Sequence, residues 1–435
     1  MKALKQILIW SVLMLGILPV SAQKTNVRPY VSVQFVPNHS DWNYRLDEDV
    51  VIDLSVCRSY VALPDMKVDY EWGMDTRSPE LVQSVVTGAD GVVRLRLKGS
   101  DVPGFKMLKA TTVVDGITYS NYIKLGFEPE RLEPTTQLPS DFLSFWQKSL
   151  KKAREVPLLP KMTLQPDLCT SSYDVYMIKF QNARPGTYIY GMLTVPKKEG
   201  RFAAVLKVPG AGVRAYHGER GILAEADAVT LQIGIHGIPV NMDDYIYQEM
   251  RAGCLKSYNV QQNDDRDKYY YKNVYLGCVK AIDFLAQLPM VDSERIGVYG
   301  GSQGGLLSLV VAALEPRVKC VSCSYPAMAE IAGRYHGRAD GWPHLFLKPD
   351  EPGIEEKVRV SGYYDAVNFA RYVKQPMLFF LGYNDMVCCP TSTYTVYNTL
   401  TCPKQLYTPL DCGHWLYPEQ QDLRAHWLLK QLGAE

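Results

Sequence analysis

Net charge is the first thing this 435-residue chain lacks: 47 Lys and Arg stand against 46 Asp and Glu, leaving +1. Without a basic excess there is no electrostatic footprint for nucleic acid. Low-complexity stretches, heptads and internal repeats are missing too, which excludes coiled coil, solenoid and extended disorder. After residue 22 no apolar run approaches the roughly 20 residues that a membrane helix needs. No Walker loop, zinc-protease helix or dinucleotide fingerprint occurs. The ten cysteines are an even number, but the chain is long enough to build a core without staples. Cys320 and Cys323 have zinc-like spacing with no second Cys or His pair to complete four ligands. They read as buried core thiols, and neither metal nor cofactor is expected. The vicinal pair Cys388-Cys389 has no evident role.

What is present begins with an export signal. Lys2 and Lys5 precede an apolar run from Ile7 to Leu18, and Pro19 breaks it before Val20-Ser21-Ala22. Cleavage before Gln23 would leave an exported protein, periplasmic or secreted, with no membrane attachment. From 23 to 130 the pattern is all-β. Val31 to Phe35 and Val92 to Leu97 alternate apolar and polar residues, the latter after the turn Asp90-Gly91. Short strands over about a hundred residues suit an immunoglobulin-like sandwich. No nucleophile–base pair lies there, so this region is expected to position substrate or partner subunits. After the linker from Glu128 to Pro139, Ser140-Asp141 is placed to cap a helix carrying Phe142, Phe145 and Trp146.

From 131 to 435 strands and helices alternate, which predicts a mostly parallel sheet covered on both faces. The strand Arg295–Tyr299 runs into Gly300-Gly301-Ser302-Gln303-Gly304-Gly305, then an apolar helix from Leu306 to Leu314. This is G-x-S-x-G in its required setting, a sharp turn between strand and helix that lifts a serine above the sheet. The new helix brings its positive end to where an oxyanion forms. A serine nucleophile needs a base, and the base needs an orienting acid. In this fold class they follow in the order acid, then histidine. Asp385 sits just beyond the strand from Met377 to Leu381, and His414 lies on the loop Asp411 to Trp415 after the last strand. Asp365 precedes a helical pattern and reads better as an N-cap. Of the remaining histidines, His236 is the serious competitor as base, because it follows a strand end. Gln303 is the expected first oxyanion N–H donor and Ala211 the second, with Gly210 and Gly212 as alternatives for the latter.

These residues resemble a known family. From about Phe142 onward the chain is similar to acetyl xylan esterases and cephalosporin C deacetylases. The resemblance is carried by the serine turn, Tyr269-Tyr270-Tyr271 with Val274-Tyr275, the stretch Val291 to Gly297, Tyr363-Tyr364-Asp365 and the stretch Gly382 to Pro390. It implies an α/β-hydrolase fold and metal-free hydrolysis of acetyl esters on sugars, with Ser302, Asp385 and His414 as the triad. A homo-oligomer is left open. Two family motifs are altered: His236-Gly237-Ile238 stands where Arg-Gly-Gln is usual, and His414-Trp415 where His-Glu is usual. A positive and a negative charge are thus missing together. His236, Trp342 and Trp415 become candidates for touching the sugar, and the segment from Met328 to Arg359 a candidate cap. An intact Ser, Asp and His set speaks against a glycan-binding protein on an inactive scaffold. A prolyl oligopeptidase-type peptidase would need a propeller larger than the front region can form.

Overall fold

The computed structural model describes residues 30–434 except 349, so the predicted signal segment lies outside the described residues. In the front region the strands form two sheets. One contains Val31–Pro37, Val50–Arg58, Val61–Ala62 and Val92–Leu97; the other runs in the order Asn43–Tyr44, Ile117–Phe127, Gly104–Val114, Lys67–Met74, Leu81–Val86. Alternation decides which side chains go inward. Val50, Ile52, Leu54 and Val56 meet Val68, Tyr70, Trp72, Leu108 and Leu125 in one buried core. The Trp72 indole N–H donates to the Lys98 carbonyl at 2.9 Å, as a buried ring nitrogen must find a partner.

The second region is built on a nine-stranded sheet. Its order is Lys161–Leu164, Tyr173–Gln181, Tyr188–Pro196, Ala228–Gly234, Phe202–Lys207, Val291–Gly301, Val318–Ser324, Met377–Phe380, Lys404–Tyr407. The first three pairings are antiparallel and the other five parallel. Period-two alternation again sorts the faces. Ala204, Leu206 and Val298 point to the core shared with the helices Tyr270–Gln287 and Gln303–Leu314. Ala203, Val205 and Tyr299 point to Leu428 and Leu432 on the closing helix Pro418–Leu432. The helix Gln303–Leu314 is apolar on every side because it is buried on every side.

One sequence expectation needs correction and another needs extending. Asp141 does stand at the N-cap of the helix Phe142–Arg154, but its side chain makes no cap bond. Its carboxylate is taken by Arg266 and the Tyr363 hydroxyl instead, where it meets a full positive charge in place of main-chain N–H groups. Asp365 does cap its helix through the Val367 N–H at 2.9 Å, and it also does more. Buried beside Glu330, it accepts from Ile331 N–H and the Thr136 hydroxyl, so the linker is tied to the second region.

The front sheets pack directly against the second region. Phe105, on a front strand, packs edge-on against Tyr383 with ring centroids 4.8 Å apart. A cavity of about 1320 Å³ opens alongside this boundary, lined among others by Asp75, Arg77, Glu80, Glu133 and Arg338. Ser302 is not part of its wall.

Candidate active site

Ser302 follows the central strand Val291–Gly301 and opens the helix Gln303–Leu314 with φ 61° and ψ −125°. A side chain at such a positive φ is strained, and strain of this kind persists only where neighbours over-determine it. Here the Ser302 N–H donates to the Ser324 carbonyl at 3.0 Å, and its carbonyl accepts from Ala327 N–H at 2.9 Å. The glycines give the turn its room. A Cβ at Gly300 would lie 2.4 Å from the Gly304 oxygen, and one at Gly304 2.5 Å from the Val208 oxygen.

The acid loop starts where the strand Met377–Phe380 ends. Asp385 is fully buried, and its Oδ1 accepts from Val387 N–H at 2.7 Å and Cys388 N–H at 2.9 Å. Its Oδ2 lies 2.7 Å from His414 Nδ1. Each carboxylate oxygen is therefore satisfied and fixed. Gly382 lets this loop touch the histidine loop, since a Cβ there would sit 2.2 Å from the Cys412 oxygen. The His414 ring lies over Tyr325 at 4.7 Å between centroids. Tyr325 falls between Ser324 and Ala327, the two residues that hold the Ser302 backbone, so Ser302 and His414 rest on one turn. With Nδ1 engaged by Asp385, Nε2 is the nitrogen left to exchange a proton with a hydroxyl.

The Cys388 thiol comes close to the Ser302 side chain. Burial, and after it the Asp385 carboxylate, push that thiol well above its ordinary range, so it stands beside the serine as a neutral group. Among the described residues no hydrogen bond joins Ser302 to His414. Catalytic bonds of this kind are often loose before substrate binds.

On the other side of Ser302, the Gln303 side chain is buried and fully committed. Its Oε1 accepts from the Tyr258 hydroxyl at 2.9 Å and the Tyr271 hydroxyl at 2.7 Å, and its Nε2 donates to the Pro209 carbonyl at 3.2 Å. Gly212 donates its N–H to Tyr258 at 3.2 Å, which removes it from the candidate oxyanion donors. The Ala211 and Gln303 N–H groups make no bond among the described residues. His236 stands behind this loop. Its Nε2 lies 3.1 Å from the Gly212 carbonyl and must carry the proton, while Nδ1 meets the Tyr270 hydroxyl at 2.7 Å. Burial, opposed by the Gly212 bond and aided by Arg214, holds the His236 pKa below its usual value.

The structure thus brings Asp385 and His414 into contact beside Ser302, and sets the loop of Ala211 against the start of the helix Gln303–Leu314. His236 is kept apart from them, with both ring nitrogens engaged. Trp342 is half-buried and linked to the acid loop through its N–H to Val387 O at 3.0 Å. Trp415 is 44% exposed and packs its ring edge-on against Tyr417. All ten cysteines are free, and Cys320 and Cys323 are buried. Among the described residues no helix is long and apolar enough to cross a membrane, and no group of three or more His, Cys, Asp or Glu is placed to hold a metal. Sequence reasoning missed the Cys388 contact, the Tyr258 and Tyr271 support of Gln303, and the front region's hold on the acid loop. Only the tyrosine run and the paired cysteines stood out in advance, without a role.

A serine turn, an acid and a histidine at the carboxyl ends of one largely parallel sheet define an α/β-hydrolase. Residues 128–431 match the acetyl xylan esterase family (AXE1). The chain belongs to that family and is a carboxylic ester hydrolase. It is 38% identical over 402 residues to the acetyl esterase Axe7A of Xylanibacter ruminicola, covering 91% of this chain and 90% of that protein. An acetyl xylan esterase from a Paenibacillus species superposes with TM-score 0.60 at 25% identity, over 70% of this chain and 98% of that one. Acetyl Xylan Esterase 1 from a Thermoanaerobacterium species shares the fold, with TM-score 0.61 at 24% identity over the same shares.

Proposed function

We propose that this protein is an exported serine esterase that removes acetyl groups from sugars of plant polysaccharides. The observation that carries it is the buried Asp385, bonded to His414 at 2.7 Å beside the strained Ser302 turn. Ser302 Oγ attacks the ester carbonyl while His414 Nε2 takes its proton. Asp385 holds the imidazole in the correct tautomer and stabilises its charged form. The Ala211 and Gln303 N–H groups receive the oxyanion. Collapse expels the sugar hydroxyl, which recovers the proton from His414 and leaves an acetyl-serine. Water, deprotonated by the same histidine, then releases acetate. Trp415 offers an exposed ring to the sugar beside the base, and Trp342 closes the acyl side from the segment 328–359. His236 serves the oxyanion loop from behind. The front sheets are read as an immunoglobulin-like sandwich, and residues 1–22 as a cleaved signal, so that the mature chain begins at Gln23.

Measuring kcat/KM for p-nitrophenyl acetate, butyrate and octanoate tests the acyl preference, with a proline-linked peptide amide as the contrasting substrate. Acetate is expected to be the best ester and the amide inert. A clear preference for octanoate would overturn the deacetylase reading, and cleavage of the amide would favour a peptidase. The N-terminal residue of protein recovered from the periplasm or medium tests export.

A further inference from the structure

The front region grips the acid loop residue by residue. Asn43 Oδ1 accepts from the Tyr383 hydroxyl at 2.8 Å. The Tyr122 hydroxyl donates to the Asn384 carbonyl at 3.0 Å, and Lys124 N–H donates to Asn384 Oδ1 at 2.9 Å. Lys124 Nζ donates to the Asp385 carbonyl at 2.5 Å and pairs with Asp75 Oδ1 at 2.7 Å. Both charged side chains are buried, Lys124 at 0% and Asp75 at 1% exposure. Thr391, at the start of the helix Pro390–Thr399 that follows the acid loop, lies 3.4 Å from the other Asp75 oxygen.

A buried ion pair is weak evidence for stability, because desolvating two charges offsets most of their attraction. Its better-attested use is to fix one arrangement. Here the arrangement fixed is that of the acid's own main chain. Asp385 has no freedom to compensate for a shift, since one carboxylate oxygen is bound by two N–H groups and the other by His414. A loop displaced by a fraction of an ångström would move Oδ2 off the imidazole.

We propose that Lys124, held by Asp75, is a positioning residue for the catalytic acid, so that the front region completes the active site. The proposal rests on Asp385 acting as the triad acid. Lys124 touches no reacting atom and acts through the Asp385 main chain. Misplacement of a catalytic group by about 1 Å can cost on the order of 10²-fold in rate. Loss of the tether should therefore lower kcat about 10-fold or more, with KM changed little.

The test uses the full-length chain. Lys124→Met alone would strand a buried carboxylate, so the informative variant combines it with Asp75→Asn. Active sites are counted by titration with an organophosphate that phosphorylates the serine and releases a chromogenic leaving group, and kcat and KM for p-nitrophenyl acetate are taken per active site across pH. The expected result is a lower kcat, an unchanged KM, and an acidic limb of the kcat/KM profile moved to lower pH, because a looser Asp385 stabilises the imidazolium less. Wild-type kcat and an unmoved limb per active site, with only a lower melting temperature, would make Lys124 merely structural and overturn the proposal. If the double variant fails to fold, Tyr122→Phe removes a single bond to Asn384 O and should still lower kcat by about 3-fold at constant KM; no change would count against it. Asp385→Asn in the same assay separates the two ideas. If it leaves kcat intact, the triad reading fails. If it lowers kcat while the Lys124 variant does not, only the present inference fails.

Discussion

The two flanks of Ser302 are supported by opposite physics. The oxyanion flank is held by neutral hydrogen bonds within the hydrolase region, with Tyr258 and Tyr271 converging on Gln303 and Gln303 reaching Pro209. The acid flank is held by a buried ion pair and polar contacts that cross from the front sheets to Asn384 and Asp385. A neutral network is cheap to bury once every member is satisfied. An ion pair is costly to bury and punishes any arrangement that leaves one partner alone. The oxyanion flank therefore needs packing, whereas the acid flank needs a second folded region to arrive in one orientation.

The proposed reacting groups set the floor against which both supports are measured. Ser302→Ala is expected to abolish turnover of a small acetate ester, and His414→Ala to lower kcat by at least about 10³-fold. Circular dichroism should show both variants folded, because neither side chain is a large part of the core. A His414→Ala enzyme of nearly normal rate would remove the acid flank's purpose altogether.

The next effect falls on the oxyanion flank. Gln303→Ala keeps the main-chain donor but frees the Pro209–Gly212 loop and leaves the buried Tyr258 and Tyr271 hydroxyls short of an acceptor. Loss of one oxyanion donor costs about 10²–10³-fold elsewhere, so a loosened one should cost about 10–100-fold in kcat. Each unsatisfied hydroxyl adds roughly 1–3 kcal/mol of destabilisation, which a denaturant titration would show as a lower midpoint. Tyr271→Phe, which deletes one donor and leaves Gln303 its Tyr258 bond, should be far milder. Equal losses in the two variants would mean that the Gln303 side chain is not the tether.

How much of this was legible beforehand depended on sequence distance. The strands Val31–Pro37 and Val92–Leu97 and the helix Pro418–Leu432 follow their local patterns to within a residue or two. The strained turn at Ser302 and the pairing of Asp385 with His414 were readable because a turn motif and a fixed chain order point to them. Lys124 was not, for its partner carbonyl lies 261 residues away and a lysine in an alternating strand looks like an outward-facing charge. Asp141 misled in the same way: it has a cap's residue type and position, but Arg266 and Tyr363 arrive from distant loops to claim it. Cys388 stood out beside Cys389 without a role, and only the meeting of two loops brings its thiol close to Ser302.

The smallest expected effect separates the flanks by pH. His236 is kept below its ordinary pKa of about 6.5 mainly by burial, with Arg214 adding to the depression and the Gly212 bond opposing it. The unfolded chain then binds a proton more readily than the folded one. The stabilisation is complete above about pH 6.5 and is lost as pH falls through the folded-state value. Protonation also ends Nδ1's role as acceptor for Tyr270 while Nε2 continues to serve Gly212, so the oxyanion loop loosens in acid from behind. His236→Gln retains an N–H for the Gly212 carbonyl and does not titrate. Its melting temperature should trail the wild type by about 2 °C at pH 7.5, and the gap should close or reverse by pH 5. kcat for a small acetate ester should stay within about 3-fold of wild type at neutral pH, since a support behind the loop is worth less than a donor in it. A gap that stays constant from pH 7.5 to 5 would show that His236 binds its proton equally well folded and unfolded, so that burial does not depress its pKa. The acid sensitivity of the oxyanion flank would then have to be sought elsewhere.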